Sequence, residues 1–421
     1  MYVDYLVLGA GISGLAYAQE KVRCNQQVIV CEAMDYAGGL CHSFEIDGFC
    51  FDSAVHLSFT TDLEARTFFD KTEYIRHMPL SYNYYHSYWL KHPIINNLYP
   101  LPINDKIRYI RSFIERNEQG ACQNYNQWLR KSYGNEIVKD FHDIYTKKYW
   151  TFSPKELSCN WVGKRLNSPD LEKILLGAMT QDTGIDYYAK EMRYPKEGGY
   201  KRFLEPLLKG VTIQFCKRAI ELNLEEKYVK FSDGSVYQYK TLISSIPLPE
   251  LVSITKNVPT KIVTSASELK ASKISLVSIG FNKESIPRYL WFYIYDEDIM
   301  AARVNSPSLK SRTNVPEKCS SLQFEIYHNP KEKIDRESIL NNTKEALKKM
   351  KICLEEDIIF MDYRLIEYGN VIFDLGMENR RDKIKNYFNE KGVKLIGRFG
   401  EWDYLWSDQS YLSGLNCARN S

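Results

Sequence analysis

The stretch VLGAGISGLA, from Val7 to Ala16, decides the fold of this chain of 421 residues. An apolar run before it predicts a buried strand, and LAYAQEKVR after it predicts a helix. Between strand and helix, G-x-G-x-x-G is the dinucleotide-binding fingerprint. Gly9 supplies the tight turn, Gly11 lets the backbone approach a pyrophosphate, and Gly14 lets the helix pack on the strand. The helix N-terminus, with Ser13, is expected to face the phosphates.

An acidic residue completes this first unit. Glu32 ends a second apolar run, QVIVCE, and follows Gly14 by 18 residues (32 − 14). This spacing is close to the roughly 20 residues expected for the acid that binds a ribose hydroxyl. We therefore predict that Glu32 and the adjacent Ala33 bind the ribose, and that a 2′-phosphate is disfavoured.

A second glycine pair favours FAD over NAD. Gly38 and Gly39, followed by Leu40, come soon after the ribose acid, which resembles glutathione-reductase-type and amine-oxidase-type flavoproteins. The next segment, EIDGFCFD, alternates like a hairpin with its turn at Asp47-Gly48. It is expected to deliver Ser53–His56 to the flavin ring. FAD is therefore the expected cofactor, and NAD(P)H is kept only as a possible transient reductant.

Composition excludes several other classes of protein. The net charge of +3 is too small to indicate nucleic-acid binding, and no apolar run reaches the ~20 residues of a membrane span. The N-terminus shows no signal-peptide pattern, and the ten cysteines are scattered singly, without zinc-site spacing. We expect a soluble cytoplasmic protein with buried thiols, no metal site and no stable membrane insertion; an oligomer is possible.

The order of patterns predicts an α/β fold. We expect an FAD-binding Rossmann-like domain of the glutathione-reductase/amine-oxidase type, a helical insertion and a mixed-sheet substrate domain. The predicted bounds are 1–61, 191–260 and 381–421 for the three parts of the FAD-binding domain, 62–190 for the mainly helical insertion, and 261–380 for the substrate domain. In the last of these, LWFYIYDEDIMAARV is interpreted as one strand.

Several segments, in order, resemble one enzyme family. GAGISGLA with GGL, the loop YPKEGG and the late segment GRFG resemble the amine oxidase/protoporphyrinogen oxidase superfamily. WLKHPIINNL, YTKKYWTFSPKELSCNWVGKR, LWFYIYDEDIMAARVNSPS and GRFGEWDYLWSDQS resemble UDP-galactopyranose mutases, above all the eukaryotic type. Two positions depart from that family: Ser53-Ala54-Val55 replaces a glycine pair before His56, and Ile95 stands where a glutamine is usual.

The resemblance implies a reaction without net redox change. Reduced FAD would attack the anomeric carbon of a nucleotide hexose through N5 while UDP leaves, and the sugar would return to UDP as a furanose for surface polysaccharide. Arg303 and Arg398 are the candidates for holding the diphosphate, with His56 beside the flavin. The remaining candidates for substrate contact are Asn96, Trp150, Trp161, Arg165, Asn305, Tyr368 and Tyr404.

The late glycines and the chain end add further cofactor candidates. Gly198 and Gly199 are expected to pass over the flavin ring, and Gly397 to bring the backbone with Arg398 close to the cofactor. Asp408, Gln409 and Ser410 are expected to open a helix at the polar end of the flavin. Two other functions remain open: an FAD-dependent oxidoreductase of the amine oxidase superfamily, and a flavin-binding protein without catalysis.

Overall fold

A computed structural model describes residues 1–163, 166, 169–187, 189–286 and 288–421. Its strands, in chain order, are β1 (Tyr2–Leu8), β2 (Val28–Cys31), β3 (Ser43–Ile46), β4 (Phe49–Asp52), β5 (Tyr74–His77), β6 (Tyr82–Tyr85), β7 (Tyr88–Lys91), β8 (Met192–Pro195), β9 (Thr212–Gln214), β10 (Ala219–Asn223), β11 (Tyr228–Phe231), β12 (Val236–Ser244), β13 (Lys273–Phe281), β14 (Trp291–Ile294), β15 (Arg303–Asn305), β16 (Ser320–His328), β17 (Ile358–Ile366) and β18 (Lys394–Leu395).

The helices connect these strands and cover both faces of the first sheet. They are α1 (Ile12–Arg23), α2 (Leu63–Phe69), α3 (Ile103–Ile114), α4 (Tyr125–Tyr133), α5 (Asn135–Ile137), α6 (Asp143–Trp150), α7 (Leu171–Met179), α8 (Glu205–Leu208), α9 (Leu248–Ile254), α10 (Thr260–Ser267), α11 (Pro307–Lys310), α12 (Arg336–Lys349), α13 (Met377–Glu390), α14 (Gly397–Gly400) and α15 (Ser407–Arg419).

The first sheet is the Rossmann-like part of the fold. Its order is β10-β11-β12-β1-β2-β9, with β18 parallel to β12. The strands β12, β1, β2 and β9 run parallel, and β10–β12 form an antiparallel meander. β1 and β2 are almost wholly apolar, as expected for parallel strands covered on both faces. The predicted α/β class and its strand–helix–strand start are therefore confirmed.

The second sheet carries the other side of the molecule. Its order is β17-β13-β16-β15-β14-β6-β7, antiparallel except for the pair β14–β6. The predicted single strand LWFYIYDEDIMAARV is wrong, because the chain turns between β14 and β15 and pairs them antiparallel. The polar run Asp296–Asp298 lies in that turn, where strand propensity is low.

The region 62–190 is less purely helical than its sequence suggests. It contains helices α2–α7, but its strands β6 and β7 belong to the second sheet. Its strand β5 pairs with β8, which follows the region. The predicted hairpin is confirmed as β3–β4, with Asp47 and Gly48 at positive φ.

All ten cysteines are free; Cys31, Cys41 and Cys50 are buried as expected, whereas Cys24 and Cys216 are exposed.

No helix in the described part of the chain has the length and hydrophobicity needed to cross a membrane.

Candidate active site

The first glycine turn lies where β1 meets α1. Gly9 has a φ of +96°, which a side chain would strain, and its N–H donates to the carbonyl of Cys31 on β2. A Cβ on Gly14 would overlap the carbonyl oxygen of Gly9, so α1 can pack this closely only on glycine. A Cβ on Gly11, in contrast, would meet nothing within 4 Å. The open space beside Gly11 is what a bound pyrophosphate requires.

The second glycine turn lies directly on the first. Gly38 has a φ of +115°, and its N–H donates to the carbonyl of Ala10 over 2.8 Å. A Cβ on Gly39 would come within 3.4 Å of the Gly11 Cα. Two segments separated by about 28 residues therefore form one glycine-lined surface, which suits the diphosphate of a dinucleotide better than a single turn does.

Backbone amides fix the ribose acid in place. The Ala10 N–H donates to Glu32 Oε2 over 2.7 Å, and the Met34 N–H donates to Oε1 over 3.0 Å. The carboxylate is thus oriented by the same turn that carries Gly9 and Gly11. Both lone-pair directions not used by these amides remain available to hydroxyl donors of a ligand.

One cavity of about 720 Å³ joins the glycine turns to the second sheet. This volume lies in the range of ligand-binding cavities. The predicted site residues among its lining are Gly9, Gly11, Ser13, Glu32, Ala33, Gly38, Gly39, Leu40, His56, Arg303, Tyr368, Arg398, Tyr404 and Ser410. Some of the residues expected to hold FAD and some of those expected to hold substrate therefore meet in one space, and the glycine surface with Glu32 beside it fits a dinucleotide cofactor.

Several predicted cofactor residues lie outside this lining. Gly199 packs so tightly against Ser43 and Cys50 of the β3–β4 hairpin that a Cβ would overlap both, and Gly198 precedes it in the same turn. The glycine pair thus serves the packing of this turn, and its predicted position over the flavin ring is not supported. A Cβ on Gly397 would overlap the Ser13 side chain, so Gly397 packs α14 against α1.

Residues around the start of helix α15 line the cavity, but only one of the three that we predicted is among them. Helix α15 does begin here, and Ser410 lines the cavity. Asp408 and Gln409 do not line it; the Gln409 side chain instead accepts a hydrogen bond from the Trp406 N–H and caps the helix. Trp406 and Ser407 border the cavity in their place.

Four residues predicted to contact substrate lie outside the cavity lining and bond or pack within the protein. The Asn96 amide donates to Asp186 Oδ2 over 2.8 Å, and the Asn305 amide is buried against Gln323. Trp150 and Trp161 pack against each other in the core of the helical region, with ring centres 4.6 Å apart. None of the four lines the cavity. Arg165 lies outside the described residues.

A buried ion pair supports the segment Ser53–His56. Asp52 ends β4 and accepts from Lys310 Nζ over 3.0 Å, with both side chains fully buried. The hydroxyls of Ser43 and Tyr194 and the N–H of Tyr200 also donate to the Asp52 carboxylate. Burial alone would raise the pKa of Asp52, but Lys310 and these donors outweigh it and lower the pKa. The carboxylate is thus a fixed anchor for the segment that follows it.

His56 lies at the end of this segment and lines the cavity. Its Nδ1 is 3.0 Å from the Ala54 carbonyl, and its ring lies 4.9 Å from the Tyr200 ring. Burial lowers the pKa of His56 to about 4, although the nearby Asp52 acts in the opposite direction. The imidazole is therefore neutral near pH 7, and Nδ1 must carry the proton if it donates to Ala54.

Arg303 projects from β15 into the far side of the cavity. Its Nε donates to Glu325 Oε2 over 2.7 Å, and its Nη2 donates to the Tyr327 hydroxyl over 3.1 Å. Glu325 is completely buried, whereas 18% of the Arg303 side chain remains exposed. The guanidinium carbon also lies 5.6 Å from the centre of the Tyr149 ring.

Arg398 approaches from α14. Its Nη2 donates to Asn370 Oδ1 over 2.7 Å and its Nη1 to the Leu405 carbonyl over 3.1 Å, while Nε is buried without a hydrogen-bond partner among the described residues. The guanidinium carbon lies 4.8 Å from the Tyr404 ring centre. An unpartnered buried N–H in a cavity wall is a position where a ligand acceptor would be stabilising.

A pair of tyrosine hydroxyls connects the two arginines. Tyr149 OH and Tyr404 OH are 3.1 Å apart, Tyr149 contacts Arg303 and Tyr404 contacts Arg398. The wall of the cavity therefore brings two guanidinium groups together with several hydroxyl groups. Tyr368 also lines it, and burial beside Glu250 raises the pKa of its hydroxyl.

Tyr327, which lines the cavity, and Glu325 behind it were not singled out from the sequence. These two side chains and Gln323 share one face of the buried strand β16. A glutamine and a glutamate two positions apart in a predominantly buried strand were the available signal. An apolar wall was also missed; it consists of Leu57, Phe59, Met192, Trp291 and Trp406. No spacing pattern in the sequence links these five residues.

Sequence comparison with known proteins supports the Rossmann-like assignment of the first sheet. Residues 7–72 match the model of the NAD(P)-binding Rossmann-like domain family. All-trans-retinol 13,14-reductases are similar over 54 residues, 44% identical in Danio rerio and 41% in Rattus norvegicus. That match covers 13% of this chain and 9% of each reductase, so it concerns the nucleotide-binding start alone.

Solved structures resemble the whole chain. The crystal structure of a reduced UDP-galactopyranose mutase superposes with a TM-score of 0.93 and 23% identity, covering 99% of this chain and 95% of the mutase. A redesigned putrescine oxidase superposes with a TM-score of 0.65 and 14% identity, covering 100% and 99%. At these identities the likeness is one of fold alone: the chain has the fold of the mutase and, with a lower TM-score, that of the oxidase.

Proposed function

We propose that this protein is a cytoplasmic FAD-dependent sugar-nucleotide mutase. It would interconvert UDP-galactopyranose, or a related nucleotide hexose, and the furanose form for surface polysaccharide synthesis. The observation that carries the proposal is the linked set Arg303–Tyr149–Tyr404–Arg398 in the cavity that also contains both glycine turns. The mutase-like fold over nearly the whole chain supports the same conclusion.

The residues have distinct roles in this proposal. The turns at Gly11 and Gly38-Gly39 would hold the FAD pyrophosphate, and Glu32 the ribose. Reduced FAD would supply a nucleophilic nitrogen for the anomeric carbon. Arg303 and Arg398 would stabilise the negative charge that develops on the departing diphosphate and would keep it near for its return. His56, neutral near pH 7, would contact the flavin without adding charge.

A second candidate is an FAD-dependent oxidoreductase of the amine oxidase superfamily. The apolar wall, with Phe59 and Trp406 in edge-to-face contact at 4.8 Å, favours it because an amine or polyene substrate needs such a surface. An amine or polyene, however, carries no negative charge for two arginines to bind.

Product analysis separates these functions. The purified FAD-loaded protein, reduced with dithionite or left oxidised, is incubated with UDP-galactopyranose, and the nucleotide sugars are separated by chromatography. We expect a furanose product only from the reduced protein. Peroxide release by the oxidised protein with amine substrates would support the oxidoreductase, and no turnover in any arm would support a flavin-binding protein without catalysis.

A further inference from the structure

Strand β16 connects the two halves of the site through one row of polar side chains. Its residues Gln323 and Glu325 pair in register with Asn305 and Arg303 of β15. Because residues two apart on a strand share a face, Gln323, Glu325 and Tyr327 point to the same side. Gln323 and Glu325 are completely buried, so each polar atom in this row needs a partner within the protein.

Glu325 bonds to both halves at once. Its Oε1 accepts from the Val55 N–H over 2.6 Å, in the segment that carries His56 to the cavity. Its Oε2 accepts from Arg303 Nε and from the Tyr327 hydroxyl, at 2.7 and 2.8 Å. One carboxylate thereby fixes the position of the proposed diphosphate-binding arginine relative to the proposed flavin-side segment.

The negative charge of Glu325 also weakens the attraction between Arg303 and an incoming anion. Arg303 faces the cavity as one member of a close ion pair, in a region shielded from water, where electrostatic interactions are stronger than in bulk. A diphosphate bound to Arg303 would be attracted by the guanidinium and repelled by the carboxylate behind it. The pair therefore binds a dianion less tightly than a free arginine would.

We propose that Glu325 is a positioning residue that aligns Arg303 and limits its affinity for the diphosphate. This inference rests on the proposed function. Weak ground-state binding is useful to a mutase because the diphosphate must leave the sugar and return to it in each cycle. Binding that stabilises the bound diphosphate equally at every stage would slow release without speeding the reaction.

The isosteric variant Glu325→Gln tests the effect of charge. Its amide oxygen can still accept from the Val55 N–H, but the negative charge is lost, and the amide NH2 in place of Oε2 cannot accept from Arg303 Nε or the Tyr327 hydroxyl. We expect UDP to bind the FAD-loaded variant about tenfold more tightly, and both KM and kcat to fall. Uridine, which lacks the diphosphate, should bind both proteins equally. Glu332→Gln is the matched control, since it removes an exposed carboxylate beside His328 outside the cavity lining.

A second variant, Glu325→Asp, tests alignment and remains available if Glu325→Gln does not fold. It keeps the charge but shortens the side chain, so UDP affinity should stay within about twofold while kcat falls at least tenfold. FAD content and thermal midpoint identify folded protein.

The outcomes separate the inference from the proposed function. If the parent protein binds UDP and Glu325→Gln leaves the affinity unchanged or weaker, the inference is overturned and the proposed function stands. An unchanged kcat in Glu325→Asp also overturns it. If the parent binds neither UDP nor inorganic pyrophosphate, the proposed function fails, and the inference with it.

Discussion

The glycine-turn side of the cavity and the second-sheet side are built from different materials. On the first side, backbone N–H groups, positive φ angles and absent side chains form the surface around Gly11 and Gly38. On the second side, side chains from β15 and β16 form it, and each depends on a partner from another strand. A substitution on the first side should therefore act through steric overlap, and one on the second side through loss of a hydrogen-bond or ion-pair partner.

The largest effect we expect comes from the second side. Arg303→Leu leaves the buried Glu325 carboxylate without its cation, which should lower the free energy of unfolding by about 3 to 5 kcal/mol. Adding Glu325→Leu removes the unpaired charge and should restore part of the stability, since the Val55 N–H then lacks its acceptor, but none of the proposed mutase activity. Urea unfolding of the two variants and the parent measures this. Equal stability of the single and double variants would contradict the ion-pair account.

A matched glycine pair tests the first side. Gly14→Ala should destabilise the protein by about 3 kcal/mol, the upper end of the usual cost of over-packing, because its methyl group overlaps the Gly9 carbonyl. Gly11→Ala should keep the stability of the FAD-free protein but lose FAD, because its methyl group fills the open space. Thermal midpoints and flavin content check both. Normal FAD content in Gly11→Ala would show that the pyrophosphate lies elsewhere.

Arg398 belongs to α14, which is part of neither the glycine turns nor the second sheet. Its substitution therefore tests a third part of the cavity wall. We expect Arg398→Ala to retain FAD and to lose about a hundredfold in turnover of a nucleotide sugar, as loss of one charge-stabilising donor usually does. Flavin absorbance and the product assay measure the two effects separately. Loss of FAD would assign Arg398 to the cofactor, and unchanged turnover would remove it from the site.

The smallest effect, counted for one histidine over one pH unit, is a pH dependence of stability. Burial lowers the pKa of His56 and of His92 to about 4, and that of His142 to about 3. In the unfolded chain each has its ordinary pKa near 6.5, so as pH falls the unfolded state takes up protons first. The free energy of unfolding should therefore have its full value above about pH 6.5. It should decrease between about pH 6.5 and 4, by at most about 1.4 kcal/mol per pH unit for each histidine.

His142→Phe checks this dependence. The ring packs against Tyr133 in a tilted arrangement with centres 4.2 Å apart, so phenylalanine keeps the packing and removes the titration. Urea midpoints at pH 7.5, 6 and 5 should decrease less in the variant than in the parent. Parallel curves for the two proteins would show that His142 titrates normally in the native state.

The same difference in materials explains what the sequence could predict. Gly9, Gly11, Gly14 and Glu32 act through local backbone geometry, so their spacing along the chain was sufficient. Which residue of strand β16 meets Arg303, in contrast, depends on register between strands, which local sequence does not determine. Asn305 illustrates the limit, because its hydrogen bond to Gln323 is set by the same register.

Loops with glycine pairs show a second limit of prediction from sequence. Gly198-Gly199 and Gly38-Gly39 look alike in sequence and all four residues have positive φ, yet only the second pair lines the cavity. The space that Gly199 leaves is filled by the β3–β4 hairpin, whereas the space beside Gly11 is open. Long-range packing, which the sequence does not display, decides between a structural turn and a binding turn.

The central claim is that the anomeric carbon–oxygen bond of a nucleotide hexose breaks while its diphosphate stays bound between Arg303 and Arg398. Positional isotope exchange tests it: UDP-galactopyranose with ¹⁸O in the bridge between the sugar and the β-phosphorus is incubated with the FAD-loaded protein. We expect the label to scramble into the non-bridging β-phosphate positions with the reduced protein and not with the oxidised one. Retention of all label in the bridge by the reduced protein would contradict the account.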